Sequence, residues 1–140
     1  MDLTADLQRV RADFENYRKR VEAEKQSARN YGQIEMVQKL LPVIDDIERA
    51  IANIPADLTN DAWTQGIATL DKKLIKTLDS IGIKRIISAP GTLFNPDLHH
   101  AVQFDEESTG ALEVVAEELR GGYTFNDQPL REAMVKVARQ

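Results

Sequence analysis

Cysteine is absent from the 140 residues of this chain, which excludes disulfides, thiol nucleophiles and thiolate metal sites and fits a reducing cytoplasm. No apolar run approaches the roughly 18 residues of a membrane span. An excess of positive charge is lacking as well: the net charge is −5, and a nucleic-acid partner usually requires a positive field. The composition therefore predicts a folded, cytoplasmic chain with neither a membrane nor a nucleic acid as partner.

Residues suited to catalysis or metal binding are also scarce. The two histidines, His99 and His100, are adjacent, and neighbouring strand residues point to opposite faces, so they are poorly placed to share one metal. We expect one packed and one exposed histidine. The sequence has no nucleophile–histidine–acid order and no glycine-rich phosphate loop. We predict that the chain is not an enzyme and holds no cofactor and no metal.

An apolar residue recurs at alternating spacings of four and three over the first thirty residues. These residues are Leu3, Leu7, Val10, Phe14, Tyr17, Val21, Ala28 and Tyr31. This spacing is the seam of a coiled coil, and a single helix has nothing of its own to bury it against. We therefore predict a parallel coiled-coil homodimer. Glu24 occupies a d position of the seam, and the heptad phase slips between Tyr31 and Val37.

Two shorter helices are predicted after the long one. Pro42 indicates the end of the long helix near residue 40, and a second helix is expected at 42–53. A third is expected at 60–81, with Asn60 as its cap and Gly82 as its terminating residue. In a dimer the four short helices would form a bundle. Besides the seam, its expected dimer contacts are Leu41, Ile44, Trp63, Gly66, Ile67, Leu70 and Leu74.

Beyond Gly82 the apolar period falls from 3.6 towards 2. Strands are expected within 83–87, 101–104, 112–119, 123–125 and 134–137, with a tight connection at 126–129. Several short strands without a helix between them predict a small antiparallel β-domain. The fold class is therefore α+β, divided into a coiled-coil helix at 1–40, a helical dimerisation region at 41–82 and a β-domain at 83–140.

A basic cluster stands out on the long helix at Arg18, Lys19 and Arg20. The three residues fall on the flanks of the coiled coil, where charged side chains are usual. The same cluster also suits a docking surface for an acidic partner. Both interpretations follow from the residues alone.

Four stretches, taken in order, resemble one protein family. They are ADFENYRKR (12–20), LLPVIDDIERAI (40–51), LFNPDLHHAV (93–102) and GGYTFNDQPLREAMVKVA (121–138). Together they look like GrpE, the nucleotide exchange factors of DnaK-type chaperones. The resemblance covers about residues 7–139 and implies paired long helices, a four-helix bundle and a C-terminal β-domain. Family members usually carry a flexible acidic segment ahead of the long helix, and these 140 residues include none, as expected of a shortened or naturally short form.

The resemblance implies a mechanism without covalent chemistry. In the family, one protomer of the dimer presents its β-domain to the ATPase domain of the chaperone, and the nucleotide cleft opens so that ADP leaves. The exchange factor binds the open state of the cleft better than the closed one. The resemblance thus implies a homodimer that does not itself bind nucleotide.

The residues that match the chaperone contacts of the family are Arg18, Leu119, Gln128 and Val137. The family usually has arginine where this chain has Gln128, and glutamine cannot form a charge-assisted bidentate pair. The polar contact at that point is therefore either weakened or transferred to Arg131. Gly66 matches a helix-interior glycine of the family, which suggests close packing in the bundle.

The resemblance also implies heat sensing through reversible unwinding of the long helix, and Glu24 is a candidate weak point. Without the four matching stretches, the residues alone favour a coiled-coil scaffold or holdase with a client-binding β-domain. Release of ADP from a DnaK-type chaperone separates these two functions.

Overall fold

The computed structural model describes residues 2–140 and has an α+β fold, as predicted. Helix α1 spans Leu3–Ala52, a 3-10 turn spans Ala56–Leu58 and helix α2 spans Ala62–Ser80. Six strands follow, and their bounds are β1 Ile83–Arg85, β2 His99–Phe104, β3 Glu113–Arg120, β4 Tyr123–Phe125, β5 Gln128–Arg131 and β6 Ala133–Arg139. The chain separates into two compact units, one ending at Lys39 and one running from Leu40 to Gln140. The three-part division of the sequence analysis stays a prediction.

Helix α1 continues through Pro42, so the predicted end near residue 40 and the separate helix at 42–53 were wrong. A proline inside a helix loses one backbone hydrogen bond and costs about 3 kcal/mol. The turns around Pro42 offset this cost because Leu41 and Ile44 are each only 2% exposed. Farther along, Asp45 and Glu48 form ion pairs with arginines of the strands. Tertiary packing therefore overrides the helix-breaking tendency of the proline.

Helix α2 begins at Ala62, two residues after the predicted start at residue 60. Asp61, not Asn60, is the cap: its carboxylate accepts a hydrogen bond from the backbone N–H of Trp63 at 3.2 Å. At the other end Gly82 has φ +90° and its N–H donates to the carbonyl of Asp79 at 3.1 Å. This left-handed conformation suits glycine, which confirms Gly82 as the terminating residue.

The six strands form two three-stranded sheets, in the orders β1-β4-β5 and β2-β6-β3. All pairs are antiparallel except β2 and β6, which run parallel. The prediction of an antiparallel β-domain was therefore wrong for this one pair of strands. A parallel pair needs a crossover of a dozen or more residues, and the three strands β3 to β5 lie between β2 and β6 in the chain.

Strand β5 was missed because its residues were assigned to a connection. Asn126 and Asp127 have φ +50° and +65°, the conformation of a two-residue hairpin turn that matches the twist of the flanking strands. Gln128 then pairs with Phe125. Pro129 is tolerated because β5 lies at the edge of its sheet. Only the first half of the predicted connection is a turn.

The core of the second sheet is formed by Ile86, Val115, Ala133, Val135 and Val137. Burial of a valine or isoleucine side chain is worth about 1.5–3 kcal/mol, so these residues fix the register of β3 against β6. The backbone approaches closely beside this core. A Cβ added at Gly122 would lie 2.3 Å from the backbone nitrogen of Ala133.

His99 is buried and His100 is exposed, which confirms the expected pair of one packed and one exposed histidine. The Nδ1 of His99 accepts from the backbone N–H of Asn95 at 3.0 Å, and its Nε2 lies 2.9 Å from the carbonyl of Ile87. Nε2 therefore carries the proton and donates to that carbonyl. The histidine holds the loop before β2 against the segment after β1.

Candidate protein-binding surfaces

The predicted seam of α1 is unburied in the single chain. Leu3 is 75% exposed, Phe14 57% and Tyr17 54%, and Leu7 and Val10 are exposed to a similar degree. Val21 is half-buried. A continuous exposed apolar stripe marks an interaction site, so the helix presents the surface that a coiled-coil partner requires.

Arg18 lies on the flank of this seam with its side chain exposed to solvent. Its guanidinium is 4.0 Å from the carboxylate of Glu15, with both side chains more than half exposed. A pair of this kind contributes little. The neighbouring Arg20 lies over the ring of Tyr17 at 5.4 Å. The Arg18 side chain is therefore free to bind an acidic group.

A second apolar surface lies where the last turns of α1 face α2. An open groove of about 500 Å³ is lined by residues of both helices, which are Ile47, Ile67, Leu70, Asp71, Lys73, Leu74 and Thr77. A neighbouring groove of about 270 Å³ includes Trp63, whose side chain is 75% exposed. Both grooves lie within the Leu40–Gln140 unit and could receive apolar side chains.

The residues predicted for the bundle divide into two groups. Trp63 and Leu70 are exposed, and Ile67 and Leu74 are partly buried. Leu41 and Ile44 are already buried within the single chain. A Cβ added at Gly66 would meet no atom within 4 Å, so no close approach within this chain requires the glycine. The role of these residues between two copies stays a prediction.

Arg131, one of the predicted chaperone contacts, is held inside the chain. Its guanidinium forms a two-point ion pair with the carboxylate of Asp45 on α1, with one bond of 2.7 Å. It also donates to the carbonyl of Gly121 at 2.7 and 2.9 Å. The Arg131 and Asp45 side chains are only 16% and 15% exposed. These bonds connect β5 to α1. A chaperone contact by Arg131 stays a prediction.

Arg85 forms a second junction nearby. Its guanidinium binds Glu48 of α1 and Glu118 of β3 and donates to the hydroxyl of Tyr123 at 2.9 Å. Burial disfavours the charged guanidinium, but the hydrogen bonds that it donates to Glu48 and Glu118 outweigh this effect and raise the pKa of Arg85. Burial also raises the pKa of Tyr123 to about 12, against the opposing effect of the Arg85 charge. Arg85 therefore stays charged and Tyr123 stays neutral at pH 7.

Sequence reasoning missed this network of Asp45, Glu48, Arg85, Glu118 and Arg131. One usable signal was present: Asp45 and Glu48 are three residues apart and lie on one helix face, beside buried apolar positions. A second was the charged Arg85 within the segment predicted as a strand at 83–87. The partners 37 and 86 residues away could not be identified from either signal.

The other predicted chaperone contacts differ in accessibility. Leu119 on β3 is 40% exposed, and Gln128 on β5 is exposed. Val137 on β6 is 2% exposed and belongs to the core. Leu119 and Gln128 lie in different sheets. Leu119 and Gln128 can offer their side chains to a partner directly, whereas Val137 supports the sheet, and the chaperone contacts themselves stay predictions.

The part of the chain described here, residues 2–140, contains no group of three metal-binding side chains suited to a metal ion. Over the same residues no helix is long and apolar enough to cross a membrane.

The family relationship of this chain follows from its match to a family model. The GrpE family model matches residues 1–139. The chain belongs to the GrpE family. This match confirms the resemblance seen in the sequence.

Individual GrpE proteins match over nearly the whole chain. Protein GrpE of Lachnoclostridium phytofermentans is 40% identical over 136 residues, which are 97% of this chain and 60% of that protein. Protein GrpE of Alkaliphilus oremlandii is 41% identical over 138 residues, covering 99% of this chain and 73% of that protein. Protein GrpE of Bacillus cereus is 36% identical over 129 residues, which are 92% of this chain and 68% of that protein. The chain thus spans three fifths of the length of the first of these relatives.

Proposed function

We propose that this GrpE-family chain is a homodimeric nucleotide exchange factor, a co-chaperone that binds the ATPase domain of a DnaK-type chaperone and promotes ADP release. The observation that carries the proposal is the exposed heptad seam of α1 in a chain whose family match covers residues 1–139. The seam supports pairing, and the family supports the partner. The proposed location is the cytoplasm, where DnaK-type chaperones work.

The proposed mechanism is a shift between two states of the chaperone. The dimer binds the open nucleotide cleft more tightly than the closed one, and ADP leaves from the open state. A complete change from 1:99 to 99:1 requires roughly 10⁴-fold tighter binding to the open state. Neither catalysis by this chain nor nucleotide binding to it enters the mechanism.

The proposed contacts with the chaperone are Arg18 on α1 and Leu119 and Gln128 on the strands. Their exposure in the single chain supports this role. Val137 lies at a matching position of the family and Arg131 is the alternative to Gln128, but the burial of Val137 and the ion pair of Arg131 favour a supporting role. They would hold β5 and β6 in place behind the contact surface.

The decisive experiment measures release of a fluorescent ADP analogue from a DnaK-type chaperone with and without this protein. We expect faster release at micromolar concentration. Arg18→Ala should slow exchange while the dimer stays intact, and Arg29→Ala, an exposed arginine farther along α1, is the matched control. Unchanged release with the unaltered protein rejects the proposal. If the protein instead slows aggregation of an unfolded client, the scaffold or holdase function replaces it.

Heat sensing through unwinding of α1 is a further part of the proposal. Glu24 occupies an exposed d position of the seam, and a charged residue at the interface of a coiled coil costs stability. We propose that the paired helices separate first near Glu24 when the temperature rises.

A further inference from the structure

A cluster of unpaired lysines lies on α2 and β1. An open groove of about 770 Å³ is lined by Thr69, Lys72, Lys73, Ile75, Lys76, Asp79, Lys84 and Arg85. Within residues 2–140, none of the four lysines takes part in an ion pair. Asp79 is the only carboxylate of the lining. In a chain with a net charge of −5, this groove, here called the lysine groove, is a local region of positive charge.

Lys72 and Lys76 of the lysine groove lie on the opposite side of α2 from Leu70 and Leu74, whereas Lys73 also lines the apolar groove between α1 and α2. Lys72 and Lys76 each follow a leucine of the apolar stripe, Leu70 and Leu74, by two positions. Two residues correspond to about 200° around a helix of 3.6 residues per turn. A second copy that covers Leu70 and Leu74 would therefore leave Lys72 and Lys76 open to solvent.

We propose that the lysine groove is a docking site for an acidic peptide segment of a partner protein. Lys72, Lys73 and Lys76 lie within little more than one helical turn, and Lys84 adds a fourth ammonium from β1. Carboxylates spaced along a short peptide can match these charges, and the aliphatic lysine stems with Ile75 offer an apolar floor. The inference does not depend on the exchange function.

Three features favour a peptide over a nucleic acid. The groove lining includes no aromatic side chain on which bases could stack. Its one guanidinium, that of Arg85, is occupied by Glu48 and Glu118, so bidentate phosphate binding is not offered. The remaining net negative charge of the chain repels an extended polyanion beyond the groove. A short acidic peptide avoids that repulsion.

The test uses a fluorescein-labelled peptide of ten glutamates and the intact protein, with binding followed by fluorescence anisotropy. We expect saturable binding in 50 mM NaCl that weakens strongly in 300 mM NaCl, because exposed charges are screened. Lys72→Glu/Lys76→Glu should weaken binding at least tenfold. This variant replaces one like-charge pair by another on the helix, so circular dichroism should show the same helix content. Lys72→Gln/Lys76→Gln should weaken binding to a smaller extent.

Lys25→Glu/Lys39→Glu is the control, since it makes the same change of net charge on exposed positions of α1. This control should bind the peptide with less than a twofold change. Equal loss in both Glu variants would mean that net charge alone attracts the peptide and would overturn the proposal. Absence of saturable binding would overturn it as well. Equal affinity for a single-stranded DNA decamer would reject the assignment to a peptide.

Discussion

The two compact units of the chain differ in how far their apolar side chains and their ion pairs are exposed to solvent. In the helix up to Lys39, most seam residues are exposed and the four ion pairs join side chains that are at least 49% exposed. In the Leu40–Gln140 unit, Val114, Val115, Val135 and Val137 of the second sheet are buried, and the arginines that join strands to helix have partners no more than 26% exposed. The second unit is thus stabilised by contacts within one chain, whereas the first leaves its apolar seam exposed in the single chain.

The largest expected effect is loss of the Asp45–Arg131 pair. Asp45→Asn leaves the buried guanidinium of Arg131 without its counter-charge, which typically costs 3–5 kcal/mol. The adjacent Asp46 pairs with Arg49 at 3.1 Å with both side chains about 70% exposed, so Asp46→Asn should cost less than about 1 kcal/mol. Urea denaturation at one fixed protein concentration measures both. Similar losses for the two variants would remove the distinction between buried and exposed pairs.

The next effect concerns the seam in the first unit. Phe14→Asp places a carboxylate at an a position and should weaken the dimer at least about 100-fold, which corresponds to about 2.7 kcal/mol. Asn16→Asp makes the same carboxylate at an exposed position off the seam and should leave the dimer unchanged. Sedimentation equilibrium gives the dissociation constants. If the unaltered protein is monomeric, or if both variants behave alike, the seam is not a dimer interface.

A smaller effect tests the weak point at Glu24. Glu24→Leu restores an apolar residue at a d position and should stabilise the paired helix by about 1 kcal/mol. The midpoint of the helix-melting transition, followed by circular dichroism at 222 nm, should rise by several degrees. Glu22→Leu lies off the seam and should not raise it. An unchanged midpoint for Glu24→Leu would remove Glu24 from the proposed heat-sensing mechanism.

The smallest effect is a pH dependence within the second unit. Burial, with a further contribution from the charge of Glu48, raises the pKa of Asp71, and its Oδ1 has no hydrogen-bond partner within the described residues. A raised pKa favours the folded state at low pH, and this stabilisation is lost as the pH rises through the pKa of the folded state.

Asp71→Asn removes that titration and tests it. The variant should be more stable than the unaltered protein at pH 7, and the difference should shrink as the pH falls through the acidic range where Asp71 takes up its proton. Urea denaturation at several pH values measures the trend. Asp79→Asn, an exposed carboxylate on the same helix, serves as the control. A pH-independent difference for Asp71→Asn would contradict the assignment.

The two units also differed in how well they could be predicted from sequence. The heptad seam of α1, the stripe of α2 and most strands follow from local apolar spacing, which is a property of neighbouring residues. Pro42 was misread because burial of Leu41 and Ile44 outweighs a local preference. The parallel pairing of β2 with β6 and the ion pairs of Arg85 and Arg131 join distant segments, and no local pattern specifies them.

The residues of the candidate binding surfaces also differed in how well they could be predicted from sequence. Arg18 and the seam were found from spacing and resemblance, and the structure leaves these side chains accessible. Arg131 and Val137 were selected from the same resemblance, but whether a side chain is exposed depends on segments that pack over it. Burial of Val137 and the pairing of Arg131 could therefore not be predicted from their own positions.

The central strand of the second sheet, β6, follows all the other strands of its unit in chain order. Asp45 and Arg131 are 86 residues apart. At the usual synthesis rate of 5–20 residues per second, Arg131 is therefore added about 4 to 17 s after Asp45. During that interval neither β2 nor β3 has its neighbour in the sheet, and Leu41 and Ile44 lack part of the unit that buries them. The Leu40–Gln140 unit therefore completes its folding only after β6 has been synthesised, and until then the nascent chain presents aggregation-prone surface.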